Sequence, residues 1–230
     1  VTMFPIQDDG SLAPACDSIK HQGKSVNANR QSEPHAHCAV VDPSDRFVLV
    51  ADLGLDQVVV YEIDRQQKKM IARSSKNLHL PGGSGPRHLA FHPQQDVYYV
   101  INELLSTIAV VRWNEGDGTS KLEQIIPTLP SDFIGDNSTA EILVHPTGKF
   151  VFGSNRGHDS IASFAVNAED GHLQLIGNCL TGGKTPRNYR IDPSGGFILA
   201  ENQNSDSVYL LKLDLSTGEL VNTKQHIEVK

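Results

Sequence analysis

The chain has 230 residues, 38% of them apolar and 20% charged, and this length is sufficient for one domain with a sizeable core. Lys and Arg number 20 against 27 Asp and Glu, and a net charge of −7 without a basic stripe argues against nucleic acid or an anionic membrane as the partner. Three cysteines without a CxxC spacing, no apolar run of membrane-spanning length and no leader pattern lead us to expect a cytoplasmic protein.

The first 30 residues contain two short strand patterns, at 1–6 and 13–20. Phe4 matches Tyr61, which belongs to a third strand of the repeat that follows, and no counterpart of the first two strands precedes it. We therefore expect a half blade at 1–30. Because a ring of sheets that starts in this way cannot close and would expose strand edges, we interpret the sequence as part of a longer protein.

Four copies of one sequence unit follow the half blade, at about 31–80, 81–131, 132–181 and 182–230. The first strand of each copy ends in Asp-Pro or His-Pro, and these prolines lie 50, 53 and 47 residues apart. From the proline through the third strand the copies align without a gap. Three of the aligned positions hold Phe47, Val97, Phe150 and Phe197; Asp52, Asn102, Asn155 and Asn202; and Val58, Ile108, Ile161 and Val208.

Each copy has the pattern of four strands. Apolar runs such as 47–51 and 58–63 are rich in Val, Ile, Phe and Tyr and are bounded by turn residues, and no stretch has a 3.6-residue apolar stripe. A more variable fourth strand follows, for example at 70–78 or 122–126. Four strands per unit of this length predict an all-β fold, a β-propeller of four-stranded antiparallel blades, with about four and a half blades in a single domain over 1–230. An ordinary β-sandwich is the alternative.

Two families of loops are expected at one end of such a propeller, where the first strand of each blade lines the central channel. The loops that lead into the first strands, here called lead-in loops, are 33–37, 84–88, 138–141 and 185–188. The loops between the second and third strands, here called b–c loops, are 52–55, 102–105, 155–158 and 202–205. Residues repeated in every blade, such as the Asp or Asn that begins each b–c loop, fit a structural role in the turn, and we read His92 and His145 in the same way.

Residues that differ between the blades at this end of the channel are candidates for binding or catalysis, because binding residues are found preferentially on such loops. They are His35, His37, Arg87, His88, Glu103, Glu141, Arg156, His158, Arg187 and Gln203. Arginines can grip a carboxylate or phosphate at two points, a carboxylate or imidazole can take a proton from water, and an arginine near a carbonyl can stabilise an oxyanion. The set predicts binding of an anionic small molecule and hydrolysis of an ester-like bond.

Each candidate also has a structural interpretation. His35 and His37 can be hydrogen-bonded channel residues, Glu103 and Glu141 can form salt bridges between blades with Arg87 and Arg156, and His158 can be a solvated turn residue. The His35-x-His37 spacing would supply half of a metal site, but Glu103, the evident third ligand, is better explained by its arginine neighbours, so we expect no metal. No HExxH, P-loop or GxSxG motif is present, and Gly82-Gly-Ser-Gly85 precedes a strand rather than a helix.

Several motifs together resemble the lactonase seven-bladed β-propeller family. They are Pro34-His-Ala-His37, Gly85-Pro-Arg-His88 with Asn102-Glu-Leu104, Ala140-Glu-Ile142 with Ser154-Asn-Arg-Gly-His158, and Pro186-Arg187 with Asn202-Gln-Asn-Ser-Asp206. The similarity runs in the same order over roughly 1–228, and Cys38 stands where the family usually has Ser.

This resemblance implies a seven-bladed ring with its active site in the channel mouth. It also implies hydrolysis of a small anionic sugar lactone, typically 6-phosphoglucono-δ-lactone, in carbohydrate metabolism and without a cofactor. A histidine of the pair His35 and His37, together with Arg87, Glu103 and Arg156, would carry the reaction. We expect Glu103 or one of these histidines to activate water, and Arg87 and Arg156 to hold the anionic group and the developing oxyanion.

The remaining candidates, His88, Glu141, Arg187, His158 and Gln203, are expected to bind substrate. The oligomeric state is left open.

Two alternatives remain at this stage. The family also includes carboxy-muconate lactonising enzymes, so a cycloisomerase that forms or opens a muconolactone would suit the same groups. The second is a propeller without enzymatic activity, because fold does not imply function. That alternative predicts that Arg87 and Arg156 are each neutralised by a carboxylate, with no open cavity between them.

Overall fold

The computed structural model describes residues 1–229, which form five antiparallel sheets in chain order. The half blade is a two-stranded sheet of β1 (Thr2–Met3) and β2 (Asp17–Ser18). Each later sheet is a blade whose strands pair in the order in which they occur in the chain. The prediction of an all-β fold built from four-stranded antiparallel blades is confirmed. Lys230, the last residue of the predicted fourth blade, lies outside the described residues.

The blade strands follow one another through short turns. Blade 1 has β3 (Ala36–Val41), β4 (Phe47–Asp52), β5 (Gln57–Asp64), β6 (Lys69–Ala72) and β7 (Leu78–His79). Blade 2 has β8 (Pro86–Phe91), β9 (Val97–Asn102), β10 (Thr107–Asn114) and β11 (Thr119–Pro127). Blade 3 has β12 (Ser138–Val144), β13 (Phe150–Arg156), β14 (Ser160–Val166) and β15 (Leu173–Leu180). Blade 4 has β16 (Pro186–Ile191), β17 (Phe197–Asn202), β18 (Ser207–Leu213) and β19 (Leu220–Glu228). Single 3-10 turns occur at Ser74–Lys76 and Gln203–Ser205.

The continuous apolar runs of the second and third strands in blades 2 and 3 arise because both faces of these blades are covered by a neighbour. On β9, Val97, Tyr99 and Ile101 pack in the core shared with blade 3. Tyr98 and Val100, between them, pack in the core shared with blade 1. Successive side chains of a strand point to opposite faces, so a strand between two such cores has no polar face. The hydrophobic core is therefore a series of layers between blades.

Two predicted elements differ in length from their sequence patterns. The predicted fourth strand at 70–78 is divided into β6 and β7 by the 3-10 turn at Ser74–Lys76, and both pieces pair with β5. In the half blade, the ladder between β1 and β2 has only two residues on each strand, and an isolated bridge joins Ile6 to Leu12. Pro5 and Pro14 lie just outside these short strands and cannot donate to a ladder, which limits the pairing there.

Adjacent blades are joined at the opposite end from the lead-in loops by the residues before the turn prolines. His92 Nδ1 accepts hydrogen bonds from the backbone N–H groups of Gln94 and Gln95, and its Nε2 lies 2.9 Å from the Gly148 carbonyl oxygen of blade 3. His145 makes the same link to the carbonyl oxygen of Gly195 in blade 4. These histidines have the structural role that the repeat indicated.

Candidate functional site

The lead-in loop and the b–c loop of one blade are held together by backbone hydrogen bonds. Leu53 N donates to the carbonyl oxygen of His35, and Glu103 N donates to that of Gly85. In blade 1 the two loops pass so closely that a Cβ at Gly54 would collide with the Glu33 carbonyl oxygen, which explains the glycine. The two loop families therefore lie at the same end of the propeller, as the topology predicted.

A β-bulge in the first strand of every blade determines which side chains reach the channel. In blade 2 the register between β8 and β9 shifts between Pro86 and His88, so Arg87 has no partner on β9. The same shift leaves His37 unpaired in blade 1 and Arg187 in blade 4. In blade 3 two residues, Ala140 and Glu141, have no pairing partner on β13. Because a bulge turns a side chain away from its regular direction, these positions can face the channel together with their neighbours.

The Glu103 carboxylate lies among three arginine side chains. Its Oε2 is 3.0 Å from Arg87 Nε and 3.1 Å from Arg156 Nη2, and its Oε1 accepts a hydrogen bond of 2.5 Å from Arg30 Nη2. The Arg87 contact is an ion pair without an aligned hydrogen bond, and the guanidinium is oriented by its Nη1, which donates to the Ala140 carbonyl oxygen at 2.7 Å. Arg156 Nη2 similarly donates to the Thr139 carbonyl oxygen at 2.8 Å. The structure thus brings Arg87, Glu103 and Arg156 together.

The arginine neighbours keep Glu103 ionised although its side chain is buried. Burial alone would raise the pKa of this carboxyl, but the hydrogen bond from Arg30 and the charges of Arg156, Arg30 and Arg87 outweigh it and lower the pKa below its ordinary value. Both oxygens are engaged by guanidinium groups. Such a carboxylate is better suited to holding the arginines than to taking a proton from water.

A cavity of about 290 Å³ opens beside Glu103 and is lined by the two histidines of the lead-in loop of blade 1, His35 and His37. Its other lining residues are Arg30, Leu53, Glu103, Ser138, Arg156 and Arg187. Three arginines and one carboxylate in this lining leave an excess of positive charge, so the cavity suits an anion. Partial burial, with the charge of Arg87, lowers the pKa of His37 to about 4, so its imidazole is neutral at pH 7.

A second cavity, of about 610 Å³, adjoins the first on the side of blade 4 and shares Arg187 with it. Arg87, His88 and Glu141 also line this cavity, as does Gln203, whose Oε1 accepts a 3.3 Å hydrogen bond from Arg187 Nη1. His88 Nδ1 lies 2.9 Å from Glu141 Oε1, and the His88 ring centroid is 5.1 Å from that of His37. The channel mouth therefore contains nine of the ten predicted site residues.

The tenth, His158, is placed elsewhere. Its ring packs edge-on against Phe133 at a centroid distance of 4.9 Å, and its Nδ1 lies 2.7 Å from Ser160 Oγ. It lines neither of the two cavities. A side chain held within its own turn in this way fits the structural alternative that the sequence left open for this residue.

Arg30 is the site residue that sequence reasoning missed. It lies on the connection between the half blade and blade 1, outside every repeated loop, and its side chain is 48% exposed. Its neighbour Gln31 is fully buried and bonds the Leu53 carbonyl oxygen and Asp56 Oδ1, which holds this connection against the mouth. The available signal was an Asn-Arg-Gln segment just before the paired histidines, but nothing in the repeat pointed to it.

The described residues include no cluster of three or more His, Cys, Asp or Glu side chains that could hold a metal ion. Across 1–229, no helix has the length and hydropathy needed to cross a membrane. The charged and titratable side chains that line the two cavities are guanidinium cations, imidazoles and carboxylates.

Comparison with known proteins identifies the family to which this fold belongs. The family model described as "Lactonase, 7-bladed beta-propeller" matches residues 1–230. A 6-phosphogluconolactonase of Bacillus subtilis is 36% identical over 220 residues, which cover 96% of this chain and 62% of that protein. The crystal structure of a putative 6-phosphogluconolactonase from Bacteroides fragilis superposes with a TM-score of 0.90 at 32% identity, covering 100% of this chain and 65% of that one.

The periplasmic gluconolactonase PpgL of Pseudomonas aeruginosa has a TM-score of 0.93 at 31% identity, with 99% of this chain and 63% of that chain covered. The sequence thus spans a little under two thirds of the length of these relatives. Because the family model extends over the whole sequence and identity exceeds 30% across nearly all of it, the chain belongs to the lactonase family of seven-bladed β-propellers.

Proposed function

We propose that this protein hydrolyses the ester bond of an anionic sugar lactone, with 6-phosphoglucono-δ-lactone as the first substrate to test. The observation that carries the proposal is the sharing of one ionised carboxylate, Glu103, among Arg30, Arg87 and Arg156 beside an open cavity that two histidines line. A propeller that used these residues only as salt bridges would neutralise each arginine separately. The names of the relatives from Bacillus subtilis and Pseudomonas aeruginosa support lactone hydrolysis.

In this mechanism the arginines bind charge and a histidine moves the proton. Arg156 and Arg187 line the cavity and hold the anionic group of the substrate, while Arg87 offsets the charge that develops on the carbonyl oxygen. A water oxygen adds to the lactone carbonyl carbon, and the neutral His37 takes the proton of that water. The ring C–O bond then breaks, the departing oxygen takes the proton back from the imidazole, and the products are a carboxylic acid and a free hydroxyl.

His35 shares the cavity with His37 and is the second candidate for the base. Glu103 orients the guanidinium groups in this scheme, which is a change of role from the water activation considered first. Gln203 supports Arg187 through their hydrogen bond. The compartment remains a prediction, since the Pseudomonas aeruginosa relative is described as periplasmic.

The test is an assay of the full-length protein with 6-phosphoglucono-δ-lactone, glucono-δ-lactone and a muconolactone, each corrected for hydrolysis without enzyme. We expect turnover of the first, and a loss of about 10²-fold or more in Arg87→Ala and Arg156→Ala. Arg65→Ala, at an exposed turn on the outer rim, is the matched control and should keep full activity.

Preferential turnover of the muconolactone would favour the cycloisomerase. Absence of turnover for all three lactones, in a protein that still binds a sugar phosphate, would favour a binding module.

A further inference from the structure

His88, Glu141 and Arg87 form a connected set of polar groups at the side of the mouth that faces the larger cavity. Arg87 and His88 are consecutive on β8, so in a regular strand their side chains would point to opposite faces. The bulge at Arg87 removes this alternation, and Arg87 Nη1 lies 3.2 Å from His88 Nε2. On its other side His88 meets Glu141, which the bulge of blade 3 brings out of register.

The partners of His88 define which ring nitrogen carries the proton. Glu141 is an acceptor, and its pKa lies below the ordinary value because hydrogen bonds from His88 and from the Ile142 backbone, with the charge of Arg190, outweigh the effect of burial. His88 Nδ1, 2.9 Å from Glu141 Oε1, therefore carries a hydrogen. A guanidinium only donates, so His88 Nε2, facing Arg87 Nη1, must offer its lone pair. The neutral Nδ1–H tautomer satisfies both contacts.

These contacts hold Arg87 on three sides. Both hydrogens of Nη1 have acceptors, the Ala140 carbonyl oxygen at 2.7 Å and His88 Nε2 at 3.2 Å, and Nε faces Glu103. The Arg87 side chain is only 4% exposed, so solvent offers little in place of a lost partner. An unbroken series of polar contacts thus runs from Glu141 through His88 and Arg87 to Glu103.

We propose that His88 and Glu141 are a positioning pair for Arg87: Glu141 selects the Nδ1–H tautomer of His88, and His88 in that form fixes the guanidinium against Glu103. This proposal rests on the proposed function for its effect on catalysis, and it replaces direct substrate binding as the role of these two residues. Displacement of a catalytic group by about 1 Å can cost about 10²-fold in rate, so a pair that does not touch substrate can still control turnover.

The kinetic test is a double-mutant cycle in the full-length protein. His88→Phe retains the approximate ring shape and removes both nitrogens, and we expect it to lower kcat/KM by about tenfold to 10²-fold, mainly through kcat. In an Arg87→Ala background the same change should have almost no further effect, because its target is gone. His79→Asn, at the exposed residue of β7, is the control and should leave activity unchanged. An equal loss from His88→Phe in both backgrounds would show direct action on the substrate and overturn the proposal.

A second measurement does not depend on activity. Two-bond ¹H–¹⁵N NMR spectra of the imidazole at neutral pH should show His88 as the Nδ1–H tautomer in the unsubstituted protein, with the preference weakened in Glu141→Leu. If His88 is instead protonated at Nε2 alone, the positioning pair is wrong whatever the substrate proves to be. If the NMR result agrees and no lactone is turned over, the proposed function fails and the link between Glu141, His88 and Arg87 stands.

Discussion

One position of the b–c loop supplies both partners of the central ion pair. The residue after the Asp or Asn that begins each b–c loop is Leu53, Glu103, Arg156 and Gln203 in the four blades, and the two charged ones belong to adjacent blades. Their side chains meet at 3.1 Å because the b–c loops of neighbouring blades converge on the channel. A buried carboxylate costs free energy unless it is paired, and here a neighbouring copy of the same loop provides the partner.

Glu103→Gln tests the role of this carboxylate at the residue scale. The amide has nearly the same shape but no charge, and its NH2 would face guanidinium groups that have no lone pair to accept a hydrogen bond. We expect lactonase turnover to fall by about 10²-fold or more, as measured by initial rates. Glu115→Gln, at an exposed turn, is the control. Full turnover in Glu103→Gln would exclude Glu103 from the catalytic machinery.

His37 predicts the pH dependence of the reaction. Its pKa of about 4 in the folded protein lies below the ordinary 6.5, so the imidazole stays neutral as the pH falls from 7 to about 5. If His37 is the base, kcat/KM should remain flat over this range and decline about tenfold per pH unit below pH 4. His37→Ala should remove most of the activity while Cys38→Ser, its neighbour on β3, retains it. A decline of kcat/KM centred near pH 6.5 would contradict the assignment of His37 as the base.

The lowered pKa of His37 also makes the stability of the fold depend on pH. Between pH 6.5 and 4 the unfolded chain binds a proton at His37 that the folded protein does not bind. This residue therefore contributes most to the free energy of unfolding above pH 6.5, and the contribution is lost as the pH falls toward 4.

At the scale of single elements, the bulged first strand is the device that makes a repeated blade into a site. The repeat alone would direct the side chains at 37, 87 and 187 according to a regular two-residue alternation. The bulges leave these residues unpaired and let adjacent positions, such as Arg87 and His88, contact each other. Each of these blades thus keeps its hydrogen-bonded ladder in the second and third strands and is irregular where the candidate site residues lie.

The turns at the opposite end predict a stability effect for Gly148→Ala. Gly148 has a φ of +74°, and a Cβ there would lie 2.6 Å from His92 Nε2. This nitrogen is the atom that makes the hydrogen bond with the Gly148 carbonyl oxygen. We expect a loss of about 1–3 kcal/mol in the free energy of unfolding, measured by urea denaturation, from backbone strain and a weakened link between blades 2 and 3. Gly177→Ala, where a Cβ meets nothing within 4 Å, should be near neutral. Equal costs for the two variants would show that the contact with His92 is unimportant.

At the scale of the whole molecule, the buried carboxylate of Asp56 joins three segments of chain. Its oxygens accept hydrogen bonds from Ser25 Oγ at 2.5 Å and Gln31 Nε2 at 2.7 Å, both on the connection that carries Arg30. They also accept from the backbone N–H groups of Gly83 and Gly85, which precede Arg87, at 2.6 and 2.7 Å. Blade 1, the half-blade connection and the lead-in loop of blade 2 are therefore positioned by one side chain.

Asp56→Asn should weaken this junction. An amide can accept at one atom only, and its NH2 would face donors, so we expect a loss of about 2 kcal/mol or more in the free energy of unfolding. Because Arg30 and Arg87 lie on two of the joined segments, lactonase turnover should fall as well. Asp117→Asn, at an exposed turn, is the control for both measurements. Unchanged urea midpoints and turnover in Asp56→Asn would show that the three segments are held independently of this carboxylate.

By itself the sequence determined the architecture of the blades and the end at which the candidate site residues lie. The reason is that local sequence features recur in four copies that align without a gap. These features are apolar runs of strand length, turn prolines, and the positions where one copy differs from the others. The tertiary structure decided what those departures do. Arg30 enters the site from a connection outside the repeat, one carboxylate is shared by three arginines, His158 turns toward Phe133, and the bulges bring His88 between Arg87 and Glu141. These arrangements depend on distances between segments that lie as many as 73 residues apart in the chain, and no local pattern encodes them.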